Sequence, residues 1–313
     1  MSKKEEYPEN VFVSLQHLLK QEHTAQSFAL LSRKHKVNSI LSGKHASKLR
    51  GRGLDFEEVR NYVKGDDIRN IDWKVTARTQ KTHTRVYTEE KEKPVLIVVD
   101  QSKSMFFGSV LKTKAVVAAE LAAIAAFRVF KEGDRVGGVV FADEGFDVVA
   151  PKRSRKNIIH FLENIENRNR ALKDSKAEAY EETLNAVIPR VRNIVTHDYL
   201  VVIISDFLRY SPTVIKAIAG ISMHNDLILA KVTDPMEYAM PNTKFVASNQ
   251  THQIVVDGKN KKIKDAFIQG FEGDFYAFQS EMKKYQIPIF NVDTATPLDL
   301  QLKEVFGKMN AKK

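Results

Sequence analysis

The sequence predicts a mostly parallel, doubly wound α/β sheet flanked by helices. Two continuous apolar runs of strand length, Val95–Val99 and Tyr199–Ser205, read as strands buried on both faces. Helix-period stretches separate the runs, and parallel strands require such crossovers. Both runs stop at an acid, Asp100 and Asp206. Open α/β sheets bind ligands just beyond the carboxyl ends of their strands, so these acids mark the edge where a site is expected.

The elements follow in order. Residues 10–42 read as helical, because Val11, Leu15, Leu18, Leu19, Phe28, Leu31 and Ile40 recur near helix spacing. Residues 43–81 hold few apolar runs and read as loops and short turns. Thr82–Glu89 suits a strand. From Pro94 the pattern alternates: strand 94–99, helix 112–131 stopped near Gly133, strands 135–141 and 146–150, and a break at Pro151. Helices at 155–166 and 179–195 lead to strand 199–205, and helix 211–222 leads to strand 226–232. Lys244–Ala247 and Gln253–Val256 form a small β-hairpin insertion within 243–264. Helix 265–285, strand 287–292 and a last helix opened by Pro297 complete the chain. The division expected is residues 1–92 as an N-terminal helical and loop collar and 93–313 as the α/β domain.

The chain has 313 residues, with 43% hydrophobic and 28% charged residues, an ordinary composition for a globular protein. It has no cysteine, which excludes disulfides and thiol catalysis and fits a reducing compartment. The N-terminus lacks the apolar core of a signal peptide. The most apolar helix, residues 115–130, carries Glu120 and Arg128 and is too short to span a bilayer. The expected location is therefore the cytoplasm. The formal net charge of +10 raises nucleic acid or an acidic membrane surface as partners. The basic residues are scattered among acids, however. The densest clusters, Lys152–Lys156 and Lys259–Lys264, follow turns without interleaved aromatics and read as solvated loops or helix starts.

Beyond the first run lies Asp100-Gln-Ser102-Lys-Ser104. One carboxylate and two alternating hydroxyls form a set of hard oxygens that suits Mg²⁺, with Mn²⁺ or Ca²⁺ as alternatives. The D-x-S-x-S spacing resembles the metal-ion-dependent adhesion site of von Willebrand factor A domains. Upstream, Arg50-Gly-Arg-Gly, Glu58-Val-Arg-Asn-Tyr62, Gly65-Asp-Asp-Ile-Arg-Asn-Ile-Asp-Trp-Lys74 and Ala77-Arg78 precede the strand. Together with D-x-S-x-S they resemble the domain-of-unknown-function family fifty-eight, over roughly residues 45 to 110. Its relatives often carry transmembrane helices before this signature; this chain is expected to have none.

The resemblance implies a metal site of Asp100, Ser102, Ser104 and Asp206. The two serines would bind directly, and the two acids through water or by orienting the direct ligands. A threonine that usually joins the set has no clear match. Its place falls near Glu178, and Thr183 lies too far into the following helix. Asp234 and Asp293 are expected to cap helices or turns. In the signature segment, arginines and acids alternate, with Trp73 and Tyr62 as packing anchors of the collar. The same arginines and aromatics would also serve as a docking surface.

The function implied is a metal-dependent protein-binding module rather than an enzyme, an adaptor or chaperone-like partner of a MoxR-type AAA+ ATPase. A carboxylate of the partner or its client would complete the metal's coordination. The alternatives are a metal-dependent phosphoesterase and a basic nucleic-acid-binding protein. The first lacks a second carboxylate at the position held by Ser102. The second lacks a basic and aromatic stripe. The nine histidines show no metal-ligand spacing and no Ser-His-Asp grouping.

Overall fold

The computed structural model describes residues 8–26, 54–89, 93–174, 180–208, 210–248 and 253–311. These divide into two compact units, one combining 8–26 with 93–311 and the other spanning 54–89. Helix α1 (Leu15–Ala25) therefore belongs with the sheet, whereas a division at residue 92 would place it with the signature segment.

The smaller unit is an antiparallel pair, β1 (Leu54–Asn61) and β2 (His83–Glu89), with the short helix α2 (Trp73–Thr79) between them. The expectation of loops and turns over 43–81 is thus corrected for the described part. Strand β1 escapes a period-two reading because its register shifts between Phe56 and Glu58. That bulge resets the alternation, so Leu54, Phe56 and Val59 do not share one parity. Asp72 caps α2 by accepting from the Lys74 and Val75 amides, and it pairs with Arg85 at 2.8 Å. Trp73 is 69% exposed, so its expected role as a packing anchor is overturned. As the first residue of α2 it points into solvent, and Tyr62 is only half-buried.

In the larger unit, β3 (Pro94–Asp100) is followed by α3 (Lys114–Lys131), then β4 (Arg135–Ala142), β5 (Gly145–Lys152) and α4 (Arg155–Ala171). Next come α5 (Tyr180–Ile194), β6 (Leu200–Ser205), α6 (Pro212–Ser222), β7 (Asp226–Thr233) and α7 (Pro235–Tyr238). The chain ends with β8 (Lys244–Ser248), β9 (Gln253–Asp257), α8 (Lys261–Lys284), β10 (Ile289–Asp293) and α9 (Leu298–Ala311).

Among the described residues six strands form the central sheet in the order β10-β7-β6-β3-β4-β5. All neighbours are parallel except the edge pair β4 and β5. This is the doubly wound, mostly parallel α/β sheet that the apolar runs predict. Strands β8 and β9 form a separate hairpin, also as expected.

Every residue of β3 is buried, because helices cover both faces. Val95, Ile97 and Val99 pack with α1, α3, α4 and α9, while Leu96 and Val98 pack with α5, α6 and α8. Helix α3 is alanine-rich and buried along nearly its whole length. At Gly137 an added Cβ would lie 2.4 Å from the Val149 carbonyl oxygen, so only glycine admits the close approach of β5. The two basic clusters sit where a turn precedes α4 and α8, in agreement with the sequence. Among the described residues no helix is long and apolar enough to cross a membrane.

Candidate functional site

Parallel pairing of β3 with β6 brings Asp100 and Asp206 to the same edge of the sheet. The Asp100 carboxylate is fully buried. One oxygen accepts the Ser102 amide at 2.8 Å and the other accepts the Ser205 hydroxyl at 2.6 Å. The loop then makes a 3-10 turn over Lys103–Met105, which sets the Ser102 and Ser104 hydroxyl oxygens 3.2 Å apart. Gln101 alternates to the other side, where it donates to the Ala115 carbonyl and accepts from Asn169. Asp143, just past β4, fixes the turn by accepting the Lys103 amide at 2.6 Å. Its other oxygen is buried and has no hydrogen-bond partner among the described residues.

Asp206 is also fully buried. One oxygen accepts the Leu208 amide at 3.1 Å, and the other accepts from the Lys114 ammonium at 2.9 Å. Lys114, 1% exposed, donates as well to Glu237 at 2.5 Å. Glu237 is locked by a capping box, in which its second oxygen accepts the Asp234 amide. Phe207, directly after Asp206, holds a left-handed φ of 49° that only tertiary packing sustains. Its ring stacks on Phe278 at 5.1 Å. A second buried ammonium, Lys231, lies 3.5 Å over the Phe275 ring.

The electrostatics follow from this arrangement. Burial, then the nearby charge of Asp206, pushes the Asp100 carboxyl up to about 7. Burial would pull Lys114 down, but the charges of Asp206 and Glu237 outweigh it and hold the ammonium above the usual lysine range. Burial lowers Lys231 to about 8. The cluster thus holds the carboxyls of Asp100, Asp206 and Glu237 against the two lysines, a formal surplus of one negative charge.

The structure therefore brings Asp100, Ser102, Ser104 and Asp206 to one place. Glu178 lies outside the described residues, and Thr183 falls inside α5. Asp234 and Asp293 cap as expected. Asp234 begins α7, and Asp293 accepts the Ala295 and Thr296 amides. Sequence reasoning missed Lys114, Ser205, Glu237 and Asp143. Glu237 had a signal, since Asp234-Pro-Met-Glu237 is a capping-box spacing. Lys114 reads in sequence as one more solvated lysine at a helix start. Among the described residues no three His, Cys, Asp or Glu side chains are grouped to hold a metal. A cation here would rest on hydroxyls and very few carboxylates, a donor set that fits Mg²⁺.

Fold and site together define an open α/β protein with a charged, hydroxyl-bearing cluster at the carboxyl edge of its sheet. The family described as "Protein of unknown function DUF58" matches residues 58–272, and the chain belongs to it. It is 28% identical over 227 residues to "Uncharacterized protein Rv1480" of Mycobacterium tuberculosis, covering 72% of this chain and 69% of the relative. "Uncharacterized protein Mb1516" of Mycobacterium bovis matches with the same identity and coverage. Among solved structures, conserved hypothetical protein BatB from Bacteroides thetaiotaomicron is 17% identical with a TM-score of 0.44, over 70% of this chain and 98% of that one. The SpRpn10 VWA domain is 12% identical with a TM-score of 0.32, over 68% and 95%.

Proposed function

We propose that this protein is a binding module for another protein, which it engages at the carboxyl edge of the sheet through a divalent cation. Asp100, Ser102 and Ser104 hold the ion, Mg²⁺ before Mn²⁺ or Ca²⁺. Asp206 stands behind them, already paired with Lys114. The observation that carries the reading is the pair of hydroxyls 3.2 Å apart beside a buried carboxylate. The loop that follows supports it, because Phe107, Val110 and Leu111 are exposed apolar side chains next to a polar centre. The metal would supply an open position for a partner's carboxylate and offset the cost of burying that charge. The residues themselves do the rest: Ser205 and the Ser102 amide orient Asp100, and Asp143 fixes the turn.

The partner proposed is a MoxR-type AAA+ ATPase, as the family resemblance implies, and the proposed meeting place is the cytoplasm. Binding of a purified MoxR-type ATPase to the immobilised full chain, followed by biolayer interferometry in Mg²⁺ and in EDTA, tests this. Binding in Mg²⁺ that is lost in EDTA and in folded Asp100→Ala supports the reading. Binding that persists in EDTA moves the contact away from Asp100, and no binding removes this partner.

A further inference from the structure

We infer that the Lys114 ammonium is a resident cation of this site, which holds Asp206 in an ion pair and leaves an incoming divalent cation only Asp100, Ser102 and Ser104. The inference rests on the cation reading above and sharpens it.

Lysine is rarely buried whole, and an ammonium cut off from water needs charged partners. Lys114 has two, Asp206 at 2.9 Å and Glu237 at 2.5 Å. Neither carboxylate is free to swing away. Asp206 is held through its other oxygen by the Leu208 amide, and Glu237 by the capping box of α7. The ammonium also enters from α3, the helix that follows the serine loop, so the chain that delivers the hydroxyls delivers the cation as well. A divalent cation facing Asp100 and Asp206 would offset two negative charges. Here Asp206 is already paired with Lys114, whose charge is shared with Glu237, so the net charge is unchanged but one of the two acids the sequence pattern offers a cation is committed to the ammonium.

If Lys114 were only a packing tie, its removal would cost stability and leave cation affinity as it was. The two roles separate by measuring Mn²⁺ binding to the full chain from the free-ion signal in electron paramagnetic resonance. Asp100→Asn should weaken binding by about tenfold or more, while Asp206→Asn should cost less than about threefold. The double variant Lys114→Met/Glu237→Gln removes one charge of each sign and releases Asp206. It should bind Mn²⁺ about tenfold tighter than the wild type, and adding Asp206→Asn should abolish the gain.

Equal losses from Asp206→Asn and Asp100→Asn would overturn the inference, as would a folded double variant that binds no tighter. The Asp206→Asn comparison needs no change at Lys114, so it decides alone should the double variant fail to fold. If the double variant binds Mn²⁺ and the wild type does not, Lys114 is the resident cation and the metal-bridged reading of the native chain falls. If no form binds Mn²⁺, both fall.

Discussion

Asp234 is expected to be the most sensitive polar residue at this end of the sheet, and Asp234→Asn tests that. It is fully buried, and each of its oxygens accepts two hydrogen bonds. Oδ1 takes the Ser109 hydroxyl at 2.6 Å and the Met236 amide at 2.9 Å. Oδ2 takes the Ser109 amide at 2.8 Å and the Thr294 hydroxyl at 2.5 Å. These four bonds tie the loop before α3 to the ends of β7 and β10. Asparagine must turn an NH₂ group toward one side. A hydroxyl there can rotate and accept, but a backbone N–H cannot, so one buried amide is left facing a donor. That costs about 1–3 kcal/mol, and the three remaining bonds lose their charge assistance at up to about 1 kcal/mol each. The sum is on the order of 3–5 kcal/mol, or a fall in Tm of about 10–15 °C for a domain of this size. Urea unfolding followed by far-UV circular dichroism is the assay. The only tryptophan, Trp73, lies in the smaller unit and would not follow the sheet. Thr294→Val should cost about 1–2 kcal/mol by the same argument. A loss below about 1 kcal/mol for Asp234→Asn would refute the reasoning. Burial alone would push this carboxyl up, but bonds from Ser109 and Thr294 hold it below the usual range. Its stabilisation is therefore present above the unfolded carboxylate pKa and is lost as pH falls through the folded one, so the gap between variant and wild type narrows only in acid.

Other changes have equally definite outcomes. His17 on α1 meets the buried Glu120 of α3 at 2.5 Å, and that hydrogen bond, against the opposing effect of burial, raises its pKa above the usual 6.5. A raised histidine stabilises fully below the unfolded pKa, and the gain is lost as pH rises through the folded value. Amide exchange in α1 should therefore be slower at pH 6 than at pH 8.5 after correction for intrinsic rates, and His17→Gln should remove the difference. Gly137→Ala would drive a methyl to 2.4 Å from the Val149 oxygen and 2.5 Å from the Pro151 nitrogen, both backbone atoms. Chemical denaturation should show a loss on the order of 3 kcal/mol. Trp73→Ala should change thermal stability by no more than about 0.5 kcal/mol, since the side chain is 69% exposed; a larger fall in a melting scan would mean that it packs.

The parallel strands were legible because burial on both faces writes an uninterrupted apolar run, as in Val95–Val99, that no surface element imitates. Helix α3 was legible for a related reason, since its alanines serve close packing on several sides. Strand β1 was not, because a bulge between Phe56 and Glu58 breaks the alternation that announces a half-buried strand. The sequence pattern places the start of α8 four residues too late. The lysines at 261, 262 and 264 look like loop, yet Asn260 caps the helix through the Lys262 amide. Trp73 misled in the opposite direction. A tryptophan reads as an anchor by composition, but whether it is buried depends on what packs beside it.

The site exposes a deeper limit of the pattern. Asp100 and Asp206 end neighbouring strands after near-identical apolar runs, and sequence alone assigns them the same character. Their surroundings come from residues remote in the chain. Asp100 meets a hydroxyl from Ser205 and an amide from its own loop, neutral donors that do not offset full burial, and its carboxyl rises to about 7. Asp206 meets an ammonium that lies 92 positions away and is itself held by a third acid. Of the two, Asp100 is the carboxylate whose charge a cation would stabilise most, because Asp206 already has one. An acid at a strand end is therefore a place for chemistry, and the helix that crosses behind it decides which chemistry that is.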